Sequence, residues 1–120
     1  MSQNESSDSG NATQRWLSYR SEIKVFDCTI RDGGLMNDHR FDDKTVKAVY
    51  EANVAAGVDY MEIGYINSRQ IFPDDQYGPW KFSSEKDIRR IVGDNDTDLK
   101  LSAMADVEKS DYKEDILPAS

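Results

Sequence analysis

The feature that most constrains this chain is an alternation of two hydrophobic periods, repeated along its length. Residues 23–30 (IKVFDCTI) are rich in β-branched and apolar side chains and predict a strand. Residues 42–56 (DDKTVKAVYEANVAA) then place Val46, Val49, Tyr50 and Val54 at helical spacing. Asp42 suits the N-cap, Phe41 can staple onto Val46, and Gly57 suits the C-terminal cap. A second strand is expected over 59–64, followed by a long loop from Tyr65 to about Phe82. A second helix is expected to open at Ser83 or Ser84, carry Ile88, Ile91 and Val92 on one face, and end at Gly93. A third strand is expected over 99–105, and residues 111–117 read as the start of a third helix that Pro118 would disturb.

The order β-α-β-α-β implies a parallel sheet covered by helices. Two α/β architectures fit it: a doubly wound open sheet and the first part of an eightfold barrel. In the predicted strands Asp27, Thr29 and Arg31 oppose Phe26, Cys28 and Ile30. Tyr60, Glu62 and Gly64 likewise oppose Met61 and Ile63, and Lys100, Ser102, Met104 and Asp106 oppose Leu99, Leu101, Ala103 and Ala105. Doubly wound sheets meet helices on both faces, and their strands tend to be apolar throughout. One mixed polar face per strand therefore favours the N-terminal part of a (β/α)8 TIM barrel, about three βα units of it. A whole barrel takes about 250 residues, whereas this chain has 120. The expectation is a piece of a longer protein, or a fold completed by association into a homo-oligomer.

Composition sharpens the boundaries. Residues 1–14 hold almost nothing that could be buried; 1–16 read as a disordered leader, with 17–120 forming the incomplete barrel portion. The leader has no basic start followed by an apolar run, so it is not read as a secretory signal. No stretch approaches the roughly 20 apolar residues that cross a bilayer. Against 15 lysines and arginines stand 23 aspartates and glutamates, a net charge of −8, which argues against a nucleic-acid partner. The single cysteine, Cys28, can form no internal disulfide and is expected to be a small core residue. A reducing cytoplasm is the expected location, and the sequons at Asn4, Asn11 and Asn95 are then chance matches.

The chemistry concentrates where the first strand ends, in Arg31-Asp32-Gly33-Gly34. An Arg-Asp pair before glycines is as compatible with a solvated turn as with a site. Glu62, on the inward face one βα unit later, shifts the balance, because several ionisable groups at one barrel mouth are costly to desolvate. Asp27 is expected to find Arg31 or another buried cation as its partner.

Residues 27–33 (DCTIRDG) resemble the D-x-T-(L/I)-R-D-G signature of the metal-dependent aldolases, lyases and Claisen-condensing enzymes of the pyruvate carboxyltransferase domain type. That family includes 3-hydroxy-3-methylglutaryl-CoA lyase, 4-hydroxy-2-oxovalerate aldolase and the isopropylmalate and homocitrate synthases. Residues 57–64 (GVDYMEIG) match its second-strand pattern. Together with RDGGLMN, YGPWKF and RRIVGDNDTDLKLSAM, the resemblance extends over roughly 17–118 and is closest to bacterial proteins with an aldolase catalytic domain. It implies an enzyme that makes or breaks a carbon–carbon bond beside the carbonyl of a 2-oxo acid through a metal-stabilised enolate. Asp32 would be a ligand of a divalent cation, Mg2+ or Mn2+, acting as a Lewis acid. Arg31 would supply fixed donors to the developing oxygen charge, and Glu62 an acid/base group or the orienter of one. Asn37, where the lyase branch has a glutamate, would contribute substrate hydrogen bonds. The glycine pair would let the backbone turn tightly and approach metal or substrate.

The pattern is incomplete. The family takes further metal ligands from a later His-x-His pair, and this chain has one histidine, His39, expected to be a solvated loop residue. The general base is unassigned. A Claisen-type acyltransferase using acyl-CoA, and a non-catalytic barrel fragment or binding subunit, stand as alternatives. The aromatic loop 77–82 is expected to pack its own rings against the barrel rim rather than act as a lid. The acidic run 94–98 is expected to be a solvated turn.

Overall fold

The structure is a computed structural model and describes residues 20–73, 75–106, 109–110, 113–114 and 116. The expected leader, and most of the third helix expected over 111–117, lie outside the described residues. Three strands form one sheet: β1 (Phe26–Asp27), β2 (Tyr60–Ile66) and β3 (Lys100–Ala105). They lie in the order β1-β2-β3, and both pairs are parallel. Among the described residues no helix is long and apolar enough to cross a membrane.

The helices carry out the expected local chemistry. Helix α1 (Thr29–Gly33) is one short turn after β1, α2 covers Asp43–Ala56, and α3 covers Glu85–Val92. Asp42 accepts a hydrogen bond from the Thr45 amide at 2.7 Å, satisfying one of the otherwise orphaned N–H groups of α2. The far end of α2 closes on Gly57 in the left-handed conformation. Ser84 caps α3 by accepting from the Asp87 amide at 3.2 Å. Between α2 and α3, Arg90 grips Asp43 with two nitrogens, at 2.8 and 3.1 Å.

The core lies on the helix side of the sheet. Ile30, Val46, Met61, Ile63 and Trp80 are fully buried, joined by Tyr50, Ile91 and Leu99. Met61 and Ile63 face the helices as their alternation predicts, while Phe41, Val49, Val54 and Leu101 pack around the edge. The turn between α3 and β3 is organised by one side chain. Asn95 accepts from Tyr50 Oη at 2.6 Å and Thr97 Oγ1 at 2.7 Å, and donates to the Leu99 carbonyl at 2.8 Å. That expected solvated turn is therefore anchored to the core at its second residue.

The first strand differs from expectation. Pairing stops at Asp27, and the chain coils at once into α1, with the Asp32 amide donating to the Cys28 carbonyl at 2.8 Å. Asp27 itself favours the coil: its carboxylate accepts from Thr29 Oγ1 at 2.6 Å and from Asn53 Nδ2 of α2 at 3.0 Å. Thus Asp27, Thr29 and Arg31 do not share a strand face, and Asp27 is satisfied by neutral donors rather than by an arginine.

Candidate functional site

Helix α1 sits at the C-terminal end of the parallel sheet, the end at which α/β proteins build their sites. Arg31 reaches from this turn to mid-β2, where its Nε donates to Glu62 Oε1 at 2.5 Å. The side chains are 20% and 11% exposed, so the pair is largely withdrawn from water. Arg31 is held still further above its ordinary pKa, chiefly by the Glu62 hydrogen bond; burial opposes this, and Tyr65 and Cys28 add smaller side-chain contributions. Its charge is permanent and its planar fork has one edge committed to Glu62. The sequence places Arg31 and Glu62 together, and the structure brings them into direct contact.

Asp32 points the other way. Its carboxylate is 72% exposed and comes no nearer than 3.7 Å to Arg31 Nη1. That loose pairing leaves most of the carboxylate open to solvent at this end of the sheet. Among the described residues no three of His, Cys, Asp and Glu are grouped where they could hold a metal ion. The donor set here is one hard carboxylate oxygen group, which suits Mg2+ or Mn2+ but completes no coordination shell. Asn37 closes the short 3-10 turn Gly34–Met36, and its Oδ1 accepts from the Arg40 amide at 3.3 Å. It stands beside the site and shapes the 37–40 turn.

Sequence reasoning missed two groups. The first is Tyr65. Between β2 and β3 the register runs Glu62↔Ser102, then Gly64↔Ala103 and Tyr65↔Met104, so Ile63 is an extra residue, a β-bulge. Ser102 and Met104 share a face of β3, and Tyr65 therefore takes the side of Glu62 that strict alternation assigns to Gly64. Gly64 instead turns to the helix side, where an added Cβ would overlap the Trp80 carbonyl and the Ser83 hydroxyl. A glycine late in a strand is the only sequence signal that could have announced this.

The second is His39, which is buried, at 2% exposure, and not a solvated loop residue. Asp38 and His39 both adopt left-handed backbone angles, φ +57° and +60°, which reverse the chain and fold the imidazole inward. Its ring meets Tyr65 edge-on at 5.2 Å and Tyr77 at 6.4 Å. Room for it comes from Gly34, where any Cβ would overlap the His39 ring. Gly33 and Gly34 have ordinary right-handed angles, so the pair serves close packing of the following loop rather than an unusual turn. Burial, with a smaller contribution from Lys81, lowers the His39 pKa, and Nδ1 is buried without a hydrogen-bond partner.

The aromatic loop docks onto this corner. The Gly78 amide donates to the Asp38 carbonyl at 2.8 Å and Arg40 Nη2 to the Asp75 carbonyl at 2.9 Å. Trp80 enters the core and Phe82 is buried, in keeping with a loop that packs its own rings. Lys81, between them, lies with its ammonium 4.1 Å from the Phe72 ring centre, 4.8 Å from Tyr77 and 5.5 Å from Tyr65. Cys28, expected in the core, is only half-buried and lies beside Arg31.

No family model matches the chain, and no curated protein matches it. Among solved structures it is similar to the crystal structure of the N-terminal domain of a "putative aldolase" from Bacteroides vulgatus. The TM-score is 0.58 at 23% identity, over 77% of this chain and 29% of that one. The chain thus spans less than a third of the length of that relative. At this identity the likeness is one of fold.

Proposed function

We propose that the chain is the N-terminal portion of a (β/α)8 barrel whose complete protein is a divalent-metal-dependent aldolase or lyase acting beside the carbonyl of a 2-oxo acid. One observation carries this reading: Arg31, withdrawn and paired with Glu62 of β2, and the largely exposed Asp32 stand on consecutive residues at the C-terminal end of a parallel sheet. The aldolase designation of the fold neighbour supports it. In this reading Asp32 gives one oxygen ligand to Mg2+ or Mn2+, and the remaining ligands come from outside the described residues. The ion, when bound, supplies Lewis-acid polarisation of the substrate carbonyl. Glu62 is the positioning residue: by engaging Nε it fixes the guanidinium plane and leaves the Nη edge to face the oxygen on which charge develops.

The test is pyruvate release from 4-hydroxy-2-oxo acids by the complete protein, with and without Mg2+ or Mn2+. Asp32→Asn should lower kcat/KM by about a hundredfold or more, the scale of losing a transition-state electrostatic group. Chelation should abolish turnover reversibly. Activity that survives both treatments overturns the metal-dependent reading. Release of free CoA from an acyl-CoA in the presence of a 2-oxo acid, without pyruvate release, would move the assignment to the Claisen-type class.

A further inference from the structure

Lys81 is not used by the chemistry described above, yet it is the most elaborately held cation in the structure. Three rings from three points of the chain, Phe72, Tyr77 and Tyr65, face its ammonium within 5.5 Å. Its backbone is fixed as well, because Asn67, buried just past the end of β2, donates Nδ2 to the Lys81 carbonyl at 3.2 Å. Among the described residues no carboxylate lies within ion-pair distance of the ammonium. Asp106 and Lys109 act on it only at longer range, with opposite signs, and burial lowers its pKa. A flexible lysine on the surface of a chain with net charge −8 would ordinarily find one of the many acids around it. This one is instead held on aromatic faces, which attract the cation without neutralising its charge.

Its place relative to the site gives that cation a direction. Tyr65 lies between the two halves: Arg31 interacts with its side chain, and Lys81 lies over its ring. Tyr65 is itself buried, at 7% exposure, so the two cations flank one enclosed side chain and Lys81 stands beside the Arg31–Asp32 corner. Arg31 is neutralised by Glu62, so among the described residues Lys81 is the positive charge at this corner that has no ion-pair partner. We propose that Lys81 anchors a second acidic group of the substrate, a carboxylate or phosphate remote from the reacting carbonyl, so that the site takes dianionic rather than monoanionic 2-oxo acids. This rests on the proposed aldolase reading for the identity of the substrate, but the anion site itself does not.

Two measurements on the complete protein separate the two ideas. Calorimetric titration with malonate, and separately with inorganic phosphate, probes the anchor without turnover. Binding of either should weaken at least tenfold in Lys81→Met, which keeps the aliphatic stem among the rings, and return in Lys81→Arg. A larger loss with one probe assigns the acidic group as carboxylate or phosphate. In the second measurement, the ratio of kcat/KM for 4-hydroxy-2-oxoglutarate over 4-hydroxy-2-oxopentanoate should exceed one and fall at least tenfold in Lys81→Met. Equal anion affinity in wild type and Lys81→Met, with near-ultraviolet circular dichroism showing both folded, overturns the anchor. Loss of anion binding in Lys81→Met together with no cleavage of any 4-hydroxy-2-oxo acid upholds the anchor and overturns the aldolase reading.

Discussion

At the scale of single residues, the site was legible where charge carries the message and hidden where packing does. Arg31, Asp32 and Glu62 could be singled out because ionisable groups beside a predicted sheet are costly unless used. His39 could not, since its burial depends on left-handed angles at two consecutive residues and on the missing Cβ of Gly34, neither of which has a periodic signature. Its burial has a measurable consequence. The folded state holds His39 below its ordinary value near 6.5, so between the two values the unfolded chain binds more protons. His39 therefore adds a loss of stability as pH falls through about 6.5, and this loss is absent well above that value. Urea midpoints at pH 5 and pH 8 should differ more in the wild type than in His39→Asn, which tolerates the left-handed backbone but does not titrate. Equal differences would place the imidazole in solvent.

At the scale of elements, helices α2 and α3 and their caps could be read almost residue by residue, because Asp42, Gly57, Ser84 and Gly93 satisfy local rules that need no tertiary information. The strands were harder. β1 is two residues long where eight were expected, as Asp27 and Thr29 close on each other and begin a helical turn. In β2 the alternation is right up to Ile63 and wrong beyond it, since one extra residue exchanges the faces of Gly64 and Tyr65. That exchange predicts an asymmetry between neighbouring substitutions. Gly64→Ala should destabilise by about 1–3 kcal/mol, the cost of overpacking a core against backbone it cannot displace. Tyr65→Phe should cost well under half of that. Chemical denaturation of both variants checks it, and an Ala at 64 as stable as the wild type would mean that Trp80 is not packed against this strand.

For the whole molecule, the parallel βα order was readable from the two periods, whereas the closure of a sheet depends on long-range strand pairing that no local period encodes. The described sheet has two outer strands, each paired on one side only, and beside β1 the side chains of Ile23, Val25 and Phe26 are about half exposed. An apolar, unpaired edge is a template for further pairing. The 120-residue chain by itself should therefore associate at micromolar concentration, seen as a concentration-dependent mass in sedimentation; a monomer that unfolds in one cooperative step would contradict this. The anchoring of Asn95 has a consequence of a different kind. Asn95-Asp96-Thr97 is an acceptor sequence for an N-linked glycan, and the amide nitrogen that a transferase would modify is the one that donates to Leu99, while its oxygen receives Tyr50 and Thr97. Produced through a eukaryotic secretory route, the chain faces a race between sugar transfer and turn closure. A molecule glycosylated first keeps only one N–H on that nitrogen and carries a sugar where the amide would meet the Leu99 carbonyl. The choice of expression host thus bears on how well the turn before the third strand closes.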